Sequence, residues 1–165
     1  MTTRTLKVQE ISSEKASPYG TLVDTKTKDP AFAGDEFSFW NELAIDETRG
    51  PISVGMVEAR PHELTATTFE RHTGTGELLA PLEGDVILVL GEPTAGLAPD
   101  IEKFEAFRLR SGSAMLLKSG TWHYAPMTEG KAVKVLVVFQ KGTPDNDLEM
   151  HHVDEEMGTV FQVVV

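Results

Sequence analysis

Two short segments of the chain concentrate side chains of the kinds that move protons or hold metal ions. The first carries Glu70, His72 and Glu77, and the second carries Lys118, Trp122, His123 and Tyr124. On an extended strand side chains alternate, so Glu70 and His72 share a face and Arg71 points to the other. The loop Thr73-Gly74-Thr75-Gly76 can return Glu77 to their side. Taken singly, each residue has a plainer reading. A lone strand histidine is more often a hydrogen-bonded structural residue than a ligand, Trp122 and Tyr124 flank His123 in a way that suits barrel packing, and Lys118 equally suits a solvated turn. Lys134, on a late strand, can face inward or outward. The adjacent pair His151-His152 would place its rings on opposite faces of a strand, a poor chelate, within an acidic stretch from Asp145 to Glu156 expected to be solvated.

The elements that must position these groups read as many short strands. The apolar or β-branched runs are Leu6–Ile11, Thr21–Thr25, Ser38–Ala44, Ile52–Ala59, Ala66–His72, Leu78–Leu82, Val86–Leu90, Phe104–Leu109, Ala114–Leu117, Val133–Phe139 and Gln162–Val165. Glu83-Gly84-Asp85, Ser111-Gly112-Ser113 and Lys118-Ser119-Gly120 are turn signals between them. A short helical or turn segment spans Ser12–Ser17, with Ser12 or Ser13 able to cap it, and Pro18-Tyr19-Gly20 stops it. Strands at this spacing predict an antiparallel sandwich or barrel, all-β with few short helices, in one domain over residues 1–165.

Composition narrows the partners. The 165 residues carry a formal net charge of -11, which argues against nucleic acid and against an anionic membrane surface. A small anionic substrate held by one or two local cations remains compatible. There is no cysteine, so any metal would use His, carboxylate, amide or water ligands. No leader-like or membrane-length apolar run is present, and a cytoplasmic protein is the expectation.

Together the two segments are far more specific than their members. His72, Glu77 and Gly84 have the form His-x4-Glu-x6-Gly, and Gly112, Lys118, Gly120 and His123 have the form Gly-x5-Lys-x-Gly-x2-His. This resembles the two cupin motifs, with Leu64, Glu70, Lys118 and Met127 standing where those motifs carry Gly, His, Pro and Asn. The resemblance implies a cupin-type double-stranded β-helix, a jelly-roll barrel, with His72, Glu77 and His123 pointing inward as ligands of a divalent metal. Glu70 would be the fourth ligand. Such a set suits Ni, Mn, Fe, Co or Zn.

A narrower resemblance covers almost the whole chain. Pro18-Tyr19-Gly20, Arg60-Pro61, Phe69-Glu70-Arg71-His72, Ala80-Pro81-Leu82-Glu83-Gly84, Gly120-Thr121-Trp122-His123 and Gly142-Thr143-Pro144-Asp145-Asn146-Asp147 are similar to strings of the ureidoglycolate lyase family, a cupin branch of allantoin degradation. One departure is Glu77, at a position where that family often has Gln. The resemblance implies cleavage of ureidoglycolate to glyoxylate and urea by a homodimer. Glu70, His123 and Lys118 would be catalytic, and Arg71, Lys118, Trp122 and Tyr124 would contact substrate. The alternatives are another metal-binding cupin enzyme, an isomerase or dioxygenase, and a non-catalytic small-molecule-binding cupin.

Overall fold

The structure is a computed structural model describing residues 1–165. Its strands are β1 (Thr2–Glu10), β2 (Gly20–Val23), β3 (Phe32–Ala33), β4 (Ser38–Phe39), β5 (Ile52–Ala59), β6 (Thr65–Ala66), β7 (Thr68–Arg71), β8 (Glu77–Pro81), β9 (Val86–Gly91), β10 (Phe104–Leu109), β11 (Ala114–Leu117), β12 (Trp122–His123), β13 (Val133–Gln140), β14 (Glu149–His152) and β15 (Thr159–Val164). The helices are single turns: α1 (Ser13–Ala16), capped by the Ser12 hydroxyl accepting from Lys15 N–H, α2 (Thr143–Asn146) and α3 (Val153–Met157). None is long and apolar enough to cross a membrane.

Two curled sheets build the barrel. One runs β2-β11-β8-β13-β5, the other β14-β7-β12-β9-β10-β1-β15-β6. Strand β9 shows how they share their apolar residues. Its Val86, Leu88 and Leu90 pack with Leu79, Met115, Leu117, Val133, Val135 and Val137 of the five-stranded sheet, filling the barrel. Its Ile87 and Val89 face the other way, into a second cluster with Phe69, Trp122 and Phe161. Burial on both faces is why β9 is an unbroken apolar run rather than an alternating one. Residues such as Phe107 and Phe161 are wholly buried, and each contributes about 2–3 kcal/mol through the apolar area it removes from water.

The eight-stranded sheet curls around the second cluster until its ends meet. Strands β6 and β7 are successive in the chain yet lie toward opposite ends of the strand order, and between them the Thr67 carbonyl accepts from Val153 N–H of α3 at 2.8 Å. Strand β1 lies between β10 and β15 and is parallel to both. Strict antiparallel pairing, the expectation from turn spacing, therefore fails at the first strand, which has no hairpin connection to either neighbour.

Other differences have local causes. Of the expected Ser38–Ala44 strand, only Ser38–Phe39 forms, and Glu42 turns the chain with φ of 51°. Lys134 points to solvent because Val133, Val135 and Val137 claim the inner face of β13. The Asp145–Glu156 stretch is more than a solvated tail: β14 pairs with β7, and Val153 is wholly buried. Strand β5 pairs only with β13 and forms a sheet edge. On its outer face Ile52, Val54 and Met56 are 61%, 63% and 53% exposed.

Candidate metal centre

Strand register assembles the site. His123 is the Cα partner of Glu70 on β7 and of Leu90 on β9. Partners in an antiparallel pair point to the same side, so Glu70 and His123 face inward with Leu90. Gly120, with φ of 87°, makes the turn that delivers β12 to β7, and its N–H donates to the His72 carbonyl at 2.7 Å. Glu77 opens β8 opposite Leu117 of β11 and comes in from the other sheet.

The four groups converge. One ligand atom each from Glu70, His72 and His123 lies within 4.8 Å of the others. Glu77 Oε2 stands 3.0 Å from His123 Nε2 and 3.5 Å from His72 Nε2, and Glu70 Oε1 stands 3.4 Å from His123 Nε2. His72, Glu77 and His123 are buried, whereas the Glu70 side chain is 36% exposed and forms the open side. His72 Nδ1 contacts the Asp147 carbonyl at 2.6 Å, and His123 Nδ1 contacts the Thr121 carbonyl at 3.0 Å. A carbonyl only accepts, so Nδ1–H donates in both rings, which orients both Nε2 atoms toward the centre.

The residues fit a divalent cation. Glu77 Oε2 and His123 Nε2 are buried without a hydrogen-bond partner, an arrangement that costs free energy unless something positive completes it. Without a metal, protons take that part. Burial by itself lowers both imidazole pKa values, but Glu77 and the Asp147 carbonyl raise that of His72, and Glu77 and Glu70 raise that of His123 to about 10. Burial likewise pushes Glu77 up, and the two histidines override it and hold the carboxyl well below its ordinary range.

The remaining sequence candidates lie elsewhere. Arg71 points to the opposite side of β7 and is buried, its guanidinium 4.5 Å from the Trp122 ring centroid. It donates to Glu149 Oε2 at 2.7 Å and to the carbonyls of Thr94 and Gly96 at 2.8 and 2.9 Å. Trp122 is wholly buried in the second cluster and donates to Thr94 Oγ1, and Tyr124 packs edge-on against Phe69 there. The alternation that aims His123 inward aims Trp122 and Tyr124 outward, so the structure does not bring them, or Arg71, to the cluster. Lys118 follows Leu117 at the end of β11, exposed, and its ammonium has neither an ion-pair nor a hydrogen-bond partner. Sequence reasoning missed the Thr121 and Asp147 carbonyls, because a backbone acceptor leaves no signature in residue type.

A jelly-roll barrel holding two imidazoles and two carboxylates on these two motifs is a cupin. The sequence pattern of the ureidoglycolate lyase family matches residues 3–160, and the chain belongs to that family. It is similar to the ureidoglycolate lyase of Pseudomonas putida (strain W619), 28% identical over 160 residues, covering 93% of this chain and 95% of that one. That of Stutzerimonas stutzeri (strain A1501) is 29% identical over 149 residues, with 87% of each chain covered. Among solved structures, a dTDP-6-deoxy-D-glucose-3,5-epimerase from Legionella pneumophila Philadelphia 1 aligns over 78% of this chain and 75% of its own, with a TM-score of 0.49 and 15% identity.

Proposed function

We propose that the protein is a ureidoglycolate lyase that splits ureidoglycolate into glyoxylate and urea at the cluster of Glu70, His72, Glu77 and His123. The observation that carries this reading is that the family match spans the whole cluster and Lys118. The overall proton movement is simple. The substrate hydroxyl loses its proton, the carbon–nitrogen bond breaks as the aldehyde carbonyl forms, and the departing urea nitrogen gains a proton. One base that takes the hydroxyl proton and hands it to the departing nitrogen balances the reaction.

Glu70 suits that task. It is the partly open member of the cluster, and its Oε1 lies beside His123 Nε2. His72, Glu77 and His123 would hold a divalent cation, which when bound supplies positive charge for the substrate's carboxylate and developing carbonyl oxygen. Lys118 is the cation free to receive the carboxylate, whereas the donors of Arg71 are taken by Glu149, by the Thr94 carbonyl and hydroxyl and by the Gly96 carbonyl. Nickel, manganese, iron, cobalt and zinc all suit the donor set.

We further propose a homodimer formed through the outer face of β5 and β13. Ile52, Val54 and Met56 there adjoin Leu136 and Val138 across the register, an apolar strip on an open sheet edge. The negative net charge supports small molecules rather than nucleic acid as partners, and the cytoplasm is the proposed compartment. The test is release of urea and glyoxylate from ureidoglycolate by metal-supplemented protein. Glu70→Gln should lower kcat at least about 100-fold, and Lys118→Ala should raise KM. Absence of turnover with every metal of the set would refute the reading.

A further inference from the structure

We infer that Asp147 is a positioning residue for the metal centre, fixing His72 from two directions at once. This rests on the reading of His72, Glu77 and His123 as the set that holds the metal. His72 lies just beyond Arg71, the last residue of β7, so no ladder partner sets its ring. His123 differs, because it sits within β12 between two strands. Gly120 N–H holds the His72 carbonyl and Phe139 packs edge-on against the His72 ring, and the hydrogen bond to its Nδ1 comes from Asp147. The backbone carbonyl accepts His72 Nδ1–H at 2.6 Å. The carboxylate accepts Thr73 N–H at 2.9 Å on Oδ1 and Gly74 N–H at 2.8 Å on Oδ2, and the Thr73 hydroxyl adds a third bond at 3.2 Å. One residue thereby fixes the ring and the two peptide groups that follow it.

The surroundings are shaped for this grip. A Cβ at Gly74 would stand 3.1 Å from Asp147 Oδ2, so a side chain there would crowd the carboxylate as it seats on the amide. Asp147 is itself tied back, its N–H donating to the Thr143 carbonyl at 2.9 Å at the end of α2. The other carboxylate on this loop, Asp46 on Gly76 N–H, sits at a longer 3.4 Å. Partners of this kind orient a metal-ligating imidazole, and their removal typically weakens metal binding about 10- to 100-fold.

The test uses zinc as the probe, with affinity measured by chelator competition, and amide hydrogen exchange in the metal-free protein. Asp147→Ala should weaken zinc binding about 10- to 100-fold and speed exchange at Thr73 and Gly74. Asp147→Asn keeps one acceptor and should fall between, which carries the test if the alanine variant does not fold. Asn146→Ala alters the same turn without touching the loop and should match the parent within about twofold, the change expected of a surface substitution. Zinc affinity in Asp147→Ala within twofold of the parent, or an equal loss in Asn146→Ala, overturns the inference. If the parent takes up no zinc, the metal reading fails on its own. Exchange then decides the grip: faster at Thr73 and Gly74 in Asp147→Ala sustains it, and unchanged exchange overturns it.

Discussion

Metal uptake should expel protons from the cluster, and the number should be countable. In the metal-free protein His123 has its pKa raised to about 10, and that of His72 is raised above its ordinary 6.5. A metal needs the neutral imidazole lone pair. At pH 7 His123 must therefore surrender a proton it holds across three pH units, which weakens metal binding by about 4 kcal/mol, or about a thousandfold. Glu77 is already ionised there and releases nothing. The logarithm of the affinity should rise with pH at a slope between one and two near pH 7, where both histidines release protons. The slope should fall to one once the pH passes the His72 value, and to zero above about pH 10. Calorimetric titration with zinc in buffers of different ionisation enthalpy reads the proton count directly. Fewer than about half a proton released per metal at pH 7, or an affinity flat between pH 6.5 and 8.5, would refute the electrostatic account.

Glu77→Gln removes the anion that both buried imidazoles share, and the metal-free protein should lose about 3 kcal/mol at pH 7, the cost of breaking a buried pair. Because a raised histidine pKa stabilises the fold fully below 6.5 and ceases to as pH rises through about 10, melting curves of parent and variant should approach each other above that pH. Arg71→Met should destabilise by about 1–3 kcal/mol, because the Thr94 and Gly96 carbonyls lose their donor. It should leave KM for ureidoglycolate unchanged, as steady-state kinetics would show. Val54→Glu with Met56→Glu should yield a folded monomer in sedimentation velocity, and a dimer that persists would place the interface elsewhere.

Much of the barrel was legible because apolar and β-branched runs bounded by turn signals mark strands, on the exposed edge as well as in the buried middle of a sheet. Ile52–Ala59, Phe104–Leu109 and Ala114–Leu117 have the bounds the sequence predicts, and β13 extends the predicted run by Gln140. The two-residue period also placed Glu70 with His72, and the spacing of the glycines and His123 brought the second segment to the first. What escaped has a common cause: it depends on partners remote in sequence. Arg71 reads as a substrate contact until Glu149, Thr94 and Gly96 close around it. The acidic stretch after Gly142 reads as solvated because composition does not reveal that Glu149 and Asp147 are acceptors for a buried guanidinium and a backbone loop. The parallel placement of β1 has no local signature either, since no turn joins it to β10 or β15.

That placement has a consequence for how the chain is made. Thr2 to Lys7 lie against Thr159 to Val164, the first strand against the last. During synthesis β1 leaves the ribosome long before this neighbour, and every strand between them is made while it waits. The barrel interior draws on residues up to Val137 and can form earlier, whereas the second cluster is incomplete until Val153, Phe161 and Val163 arrive. An interrupted product would therefore be half built, with its interior filled but its outer layer open and adhesive. Because the paired ends run parallel, joining them in a circular permutant would need a linker that travels back along the strand, about 20 Å for six residues.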